Sequence, residues 1–132
     1  MDLFLGKWIF KKDVHFGEFL KFSGVPWIKR QISEHNKIKI FIEKWKNVYI
    51  KTISSPLYNT EEIIKLDGQY REYNDSSKKF STENDIIYVS VNYKDSIFWE
   101  EEIYIKDSHL IIKYIWTQNN ERHIAVQFFK HQ

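Results

Sequence analysis

The chain of 132 residues has no cysteine, only four glycines and two prolines, and no long apolar run. Without cysteine it has neither a disulfide framework nor a thiolate metal site. So few glycine and proline residues argue against a fibrous or disordered chain. No segment approaches the roughly 20 apolar residues of a transmembrane helix, and the first residues lack the basic and apolar regions of a signal peptide. We therefore expect a soluble, cytoplasmic protein.

A surplus of charge of one sign is also absent. Lysine and arginine (20) nearly balance aspartate and glutamate (18), and the formal net charge is only +2. A nucleic-acid groove needs clustered basic charge, so we expect no nucleic-acid partner. The five histidines are not paired at the spacing of metal ligands, and the chain has no nucleophile elbow or phosphate loop. We expect no metal, no cofactor and no enzymatic activity.

Apolar and aromatic residues, by contrast, are plentiful. They make up 42% and 17% of the chain, which is ample for a core, and ligand pockets also favour aromatic walls. The length predicts one domain spanning residues 1–132. Apolar residues at spacings of three and four predict two short helices between His15 and Ser33. Gly24 suits the end of the first helix, and Pro26 suits the first turn of the second.

The rest of the chain has an apolar period of two residues, which is typical of strands. Ten short strands separated by turn-forming residues predict a sandwich or a barrel of up-and-down hairpins. The predicted strands are Phe4–Lys12, Lys37–Lys44, Val48–Ile53, Leu57–Leu66, Gln69–Tyr73, Lys78–Thr82, Ile86–Tyr93, Ile97–Ile105, Leu110–Thr117 and His123–Lys130. Such a meander can close around a hollow interior, which favours a container for a small apolar molecule.

Three consecutive glutamates, Glu100 to Glu102, support a hollow interior. Because successive side chains of a strand point to opposite faces, at least one of these carboxylates faces inward in any register. A solid apolar core would make that carboxylate costly. A cavity that contains water tolerates it.

Several motifs resemble the intracellular lipid-binding proteins, the family of the fatty-acid-binding and cellular retinoid-binding proteins. They are Gly6-Lys7-Trp8, the stretch Phe16–Arg30 and the stretch Asn59–Glu72. The similarity extends from Phe4 to Lys130. It implies an all-β, ten-stranded antiparallel up-and-down β-barrel of the calycin type with a helix-turn-helix lid. It further implies a monomeric transport protein that holds one fatty acid, fatty alcohol or retinoid in a partly hydrated cavity.

The chain departs from this family where the ligand carboxylate is held. In the family two inward arginines and a tyrosine hold it, and these align here with Glu102, Gln127 and Phe129. A glutamine cannot neutralise a buried carboxylate, and a glutamate repels one. The pattern resembles the retinol-binding branch and predicts an uncharged head group. A fatty acid held by Lys78 or Arg71, or bound in the reverse orientation, is the alternative.

The resemblance gives ten candidate ligand-binding residues. They are Phe16, Leu20, Val25, Arg30, Leu57, Tyr58, Lys78, Glu102, Gln127 and Phe129. Each has a plainer interpretation: the lid residues as packing against the barrel rim, Leu57 and Tyr58 as a loop tip, Gln127 as a solvent-facing strand residue.

Two rival functions use the same barrel. Basic residues of the predicted lid, Lys21, Lys29 and Arg30, suit transient contact with an anionic membrane surface. This would make the protein a membrane-surface or interaction protein. A lipid-modifying enzyme would instead need Glu102 and His123 to meet as an acid–base pair.

Overall fold

A computed structural model of the chain describes residues 2–24, 38–54, 59–73 and 76–132. A short 3-10 helix, Asp2–Phe4, precedes the first strand, and one α-helix, α1, spans Phe16–Ser23. The strands are β1 Gly6–Val14, β2 Lys39–Trp45, β3 Val48–Ser54, β4 Asn59–Ile64, β5 Tyr70–Tyr73, β6 Ser76–Glu83, β7 Ile86–Tyr93, β8 Ile97–Lys106, β9 His109–Gln118 and β10 Glu121–His131. All ten predicted strands and the first predicted helix are present. The second predicted helix lies outside the described residues.

The strands form one antiparallel sheet that curls into a nearly closed barrel. Their order is β4-β3-β2-β1-β10-β9-β8-β7-β6-β5, so β1 pairs with β10 and joins the two ends of the chain. The described parts of β4 and β5 form the two free edges of the sheet and share no ladder of hydrogen bonds. The prediction of an all-β up-and-down barrel is confirmed, and the sandwich alternative is wrong.

Tight turns fix which side chains face inward. Three hairpins are closed by two residues that both have positive φ: Asn84-Asp85 (53° and 63°), Asp107-Ser108 (51° and 63°) and Asn119-Asn120 (53° and 62°). Turns of this mirror-image type match the twist of antiparallel strands. Asparagine and aspartate tolerate the left-handed backbone better than most residues. The turns therefore set the register of three hairpins, β6–β7, β8–β9 and β9–β10. These strands hold four of the ten candidate residues: Lys78, Glu102, Gln127 and Phe129.

The Gly-x-Trp motif near the start of β1 has a packing role. Gly6 has φ 120°, and a Cβ at that position would lie 2.7 Å from Nε2 of His131. The backbone conformation calls for glycine, and a Cβ there would also displace the ring of the exposed His131. Trp8 is buried, and its Nε1 donates a hydrogen bond to the carbonyl of Phe4 at 2.9 Å. The motif thus joins the two ends of the chain.

Helix α1 ends where the sequence predicted. Gly24 takes the left-handed conformation (φ 62°), and its N–H donates to the carbonyl of Leu20 at 2.9 Å. That conformation at the end of a helix favours glycine. No helix in the described part of the chain has the length and apolarity to cross a bilayer.

An aromatic cluster holds α1 on the barrel. Phe19 is fully buried, and its ring centroid lies 4.5 Å from that of Tyr114, 5.2 Å from Trp99 and 5.5 Å from Trp116. Phe16 stacks beside it at 5.8 Å. Large aromatic surfaces contribute much of the free energy of such a contact, so the position of α1 depends on these rings.

Replacing Phe19 by alanine tests this dependence. We expect Phe19→Ala to lower the free energy of unfolding by about 3–5 kcal/mol, because it leaves a cavity among four aromatic rings. The measurement is chemical denaturation followed by circular dichroism. Phe98 of β8 is 51% exposed, so the control Phe98→Ala should cost less than about 1 kcal/mol. Equal losses in the two variants would contradict this account of the helix.

Candidate functional site

A cavity of about 390 Å³ lies inside the barrel. Its volume falls within the range of small-molecule pockets, roughly 300–1,000 Å³. Residues from β2 to β10 form its wall: Ile38, Ile40, Ile53, Tyr93, Ile112 and Phe129 are apolar or aromatic, and Lys51, Thr60, Glu61, Glu62, Glu72, Tyr73, Ser76, Lys78, Glu101, Tyr114 and Gln127 carry polar groups. The wall is thus divided between a branched aliphatic part and a strongly polar part.

Three largely buried charges form the centre of the polar part. Lys78 Nζ lies 2.5 Å from Glu62 Oε2, and Lys51 Nζ lies 3.6 Å from Glu62 Oε1. Lys51 and Glu62 face each other across β3 and β4, and Lys78 comes from β6. A buried carboxylate needs such partners, because an unpaired buried charge is very costly. We call these three residues the ion cluster.

The ion cluster keeps Glu62 and Lys78 ionised. Burial opposes ionisation of Glu62, but the positive charges of Lys78 and Lys51 outweigh burial and lower the pKa from the ordinary 4.5 to about 2. Burial likewise opposes the charged form of Lys78, but Glu62 and Glu101 outweigh it, so the pKa of Lys78 is raised. Glu62 and Lys78 are therefore both charged on the cavity wall at neutral pH.

The same cluster bridges the open side of the barrel. β4 and β5 are not paired, so the sheet leaves a gap between them, which we call the seam. The Lys78–Glu62 contact crosses the seam from β6 to β4 on the inner face. Tyr73 of β5 also crosses it, because its hydroxyl donates to the carbonyl of Ile63 in β4 at 2.6 Å. Side chains thus close the barrel where the backbone does not.

A second polar group spans β8 to β10. The hydroxyl of Tyr114 donates to Oε1 of Gln127 at 2.7 Å, and both residues are buried. Burial first, and then the negative charges of Glu101 and Glu62, hold the pKa of Tyr114 well above its usual value, so the phenol keeps its proton. Glu101 lies opposite Tyr114 in the β-ladder, and its Oε2 accepts a hydrogen bond from Nε1 of Trp99 at 2.9 Å.

The structure places three of the ten candidate residues on the cavity wall: Lys78, Gln127 and Phe129. The inward placement of Glu102 is wrong. Glu102 lies on the outer face, where one carboxylate oxygen is 3.9 Å from Nζ of Lys113. Because side chains alternate along β8, Glu101 takes the inward position instead. The expectation that at least one of the three consecutive glutamates faces inward is confirmed, but the inward residue is Glu101 and not Glu102.

Two further candidates, Phe16 and Leu20, are not among the described wall residues. Both are buried residues of α1, and the ring of Phe16 lies 5.3 Å from that of Tyr114, which is a wall residue. Arg71, the alternative carboxylate partner, pairs with Asp67 instead. Four candidates lie outside the described residues: Val25, Arg30, Leu57 and Tyr58. Contact of the nine candidates other than Glu102 with a ligand stays a prediction.

Sequence reasoning missed Lys51, Glu62 and Glu101. A signal for two of them was present, namely a charged residue flanked two positions away by apolar residues on both sides. Glu101 lies between Trp99 and Ile103, and both of these neighbours are buried. Lys51 lies likewise between apolar residues. The signal is incomplete: residues two apart share one face of a strand, but the exposed Glu43, between Phe41 and Trp45, shows the same pattern.

The acid–base pair that an enzyme would need is not formed. Glu102 faces outward toward Lys113. The ring of His123 stacks on that of Trp116, with centroids 5.4 Å apart. In the described ranges, histidine, aspartate and glutamate residues nowhere gather in the groups of three or more that a metal ion needs.

The low pKa of Glu62 predicts how stability depends on pH. A carboxyl group with a lowered pKa in the folded state stabilises the protein fully above its unfolded pKa of 4.5 and loses that contribution as pH falls toward 2. We expect Glu62→Gln to remove about 3 kcal/mol of this pH dependence. At neutral pH it should cost about 3–5 kcal/mol, because two buried lysines lose their partner. Denaturation at a series of pH values measures both effects.

Glu43 provides the control for that experiment, because it is an exposed glutamate of β2. Glu43→Gln should leave the profile between pH 4.5 and 2 unchanged. An unaltered profile in the Glu62 variant would contradict the ion cluster.

Comparison with known proteins shows the fold. No protein-family model matches the sequence, and no curated protein matches it. Apo lipid binding protein 8 of Caenorhabditis elegans is 16% identical with a TM-score of 0.82, covering 100% of this chain and 97% of that one. Fatty-acid-binding protein 1 of Echinococcus granulosus is 16% identical with a TM-score of 0.79, covering 99% and 98%. The wild-type fluorescent protein UnaG is 18% identical with a TM-score of 0.77, covering 98% and 97%. The chain thus has the barrel fold of these three proteins.

Proposed function

We propose that the protein is a carrier of the intracellular lipid-binding type, which holds one small hydrophobic molecule inside its barrel. The observation that carries this proposal is the cavity of about 390 Å³, with aliphatic and aromatic residues on part of its wall. The fold shared with a lipid-binding protein and a fatty-acid-binding protein supports it. The motifs of the sequence that resemble this family support it independently.

The aliphatic part of the wall supplies the binding free energy. Each buried methylene contributes about 0.8 kcal/mol, so a chain of ~14 carbons gains about 11 kcal/mol before the costs of association. Ile40, Ile53 and Ile112 offer branched apolar surface for such a chain. Length and shape of the ligand therefore contribute more to affinity than its head group does.

The charges on the wall disfavour an anionic head group. Two lysines, Lys51 and Lys78, and two glutamates, Glu62 and Glu101, face the cavity, so their formal charges balance; Glu61 and Glu72 border it but are exposed. Both lysines already have Glu62 as a partner, and arginine is absent from this described wall. A ligand carboxylate would add a further negative charge in a place of low dielectric constant. Gln127 is buried on this wall at the position aligned with a family arginine. We therefore propose an uncharged head group.

The proposal also concerns the protein's location, its oligomeric state and the fate of its ligand. We propose a cytoplasmic monomer that releases its ligand unchanged. Glu102 and His123, the residues of the enzymatic alternative, each have another partner. Lys21 on the exposed side of α1 is suited to transient contact with an anionic membrane during transfer of the ligand.

Comparison of two ligands of equal length tests the proposal. Tetradecan-1-ol should bind at neutral pH with a dissociation constant no higher than that of tetradecanoate, because both lysines on the described part of the wall are already paired with Glu62. Displacement of a polarity-sensitive fluorescent probe measures both constants. A clear preference for the carboxylate that disappears when it is protonated at low pH would contradict the proposal.

A variant on β10 sharpens this comparison. Gln127→Arg should shift the preference toward tetradecanoate by about tenfold, since a hydrogen bond between two charged groups is stronger than one between neutral groups. Ile124→Arg adds the same charge at an exposed position of β10 that is absent from the cavity wall. It should leave the preference unchanged.

A further inference from the structure

Glu101 offers the cavity a buried acceptor that the protein itself does not use. The residue is 8% exposed and belongs to the cavity wall. Its Oε2 accepts the hydrogen bond of the Trp99 indole, which fixes the carboxylate in place. Oε1 accepts no hydrogen bond from any described residue and is open to the cavity. A ligand that fills the cavity removes this oxygen from water, and because a buried polar group is costly without a partner, the ligand then has to supply a donor.

Gln127 offers a complementary donor on the same wall. Its Oε1 accepts the proton of the Tyr114 hydroxyl, so the amide group turns its Nε2 the other way. Nε2 donates to none of the described residues, although Gln127 is only 2% exposed and lines the cavity. An amide nitrogen can only donate. A ligand atom that meets Gln127 must therefore accept.

Tyr114 holds these two groups near each other. Tyr114 is the ladder partner of Glu101 on β8 and the hydrogen-bond partner of Gln127 on β10. The free acceptor and the free donor thus lie on either side of one tyrosine side chain. All three residues are buried on regular strands rather than loops, so their positions are well defined before a ligand arrives.

The surrounding charges disfavour charged head groups of both signs. An anion beside Glu101 would meet a like charge. A cation would meet the ammonium groups of Lys51 and Lys78, which line the same cavity. What fits is an uncharged group that both donates and accepts a hydrogen bond, such as a hydroxyl or a primary amide.

Building on the proposed carrier function, we infer that Glu101 makes the protein selective for ligands whose uncharged head group donates a hydrogen bond. Gln127 binds the acceptor atom of the same head group. A long-chain alcohol satisfies both residues. Its methyl ether has the same chain and still accepts, but leaves Glu101 without a donor. Sites built to bind a hydroxyl discriminate strongly against analogues that lack it.

The test compares tetradecan-1-ol with 1-methoxytetradecane on the full chain. We expect the alcohol to bind at least tenfold more tightly, in line with the typical strength of a hydrogen bond to a charged acceptor. Tetradecanamide should show the same advantage over its N,N-dimethyl derivative. Displacement of a fluorescent probe, checked by isothermal titration calorimetry, measures all four constants.

Two variants assign the selectivity to one residue. In Glu101→Gln the new amide oxygen still accepts the Trp99 hydrogen bond, so its nitrogen presents a donor to the cavity. The preference for the alcohol should then fall below about threefold or reverse. Glu102→Gln makes the same change one residue further along β8, on the outer face, and should retain the preference. Thermal unfolding of each variant confirms that it is folded.

The outcomes separate this inference from the carrier function. Equal binding of alcohol and ether by the wild-type protein would overturn the role of Glu101 while leaving the carrier function intact, and this result needs no variant. Retention of the full preference in Glu101→Gln, or its equal loss in Glu102→Gln, would also overturn it. Failure of every tetradecyl ligand to bind would overturn the carrier function together with the inference.

Discussion

The contact between Lys78 and Glu62 across the seam is the interaction on which the rest of the structure depends. Backbone hydrogen bonds join every other pair of neighbouring strands in the described barrel, but β4 and β5 share none. Buried ion pairs contribute little net stability, because desolvation offsets their attraction. Their value here is positional. The contact holds β4 against β6, and Lys51 supplies the second positive charge beside the same carboxylate. Removing one member therefore affects the barrel and the cavity wall together.

The ion cluster also determines what kind of interior the barrel has. A wall of aliphatic residues alone would form a dry pocket that does not orient its ligand. The cavity instead has a polar part and an apolar part. The polar part consists of the ion cluster and a polar row formed by Glu101, Tyr114 and Gln127, and the apolar part consists of Ile40 and other aliphatic residues. A ligand with one polar end gains from both parts only in one orientation. Hydrophobic burial then provides affinity, and the polar row provides selectivity.

The sequence predicted the strands, the hairpin turns and the cap at Gly24, because these features depend on local periodicity and on local backbone preferences. It predicted correctly that one of three consecutive glutamates faces inward, but it chose Glu102 rather than Glu101. The choice depends on the register between β8 and its neighbours, which a strand's own pattern does not determine when polar residues occur on both faces. The contact between Lys78 and Glu62 could not be predicted from the sequence for a similar reason. It depends on how the unpaired edges of β4 and β5 are placed relative to each other.

Native mass spectrometry of the protein isolated from its own cells, combined with identification of the released lipid, tests the central claim most directly. This account predicts one hydrophobic molecule per chain, with an uncharged head group that carries a hydroxyl or a primary amide. A protein that consistently carries fatty acid carboxylates, or that carries no lipid at all, would contradict it.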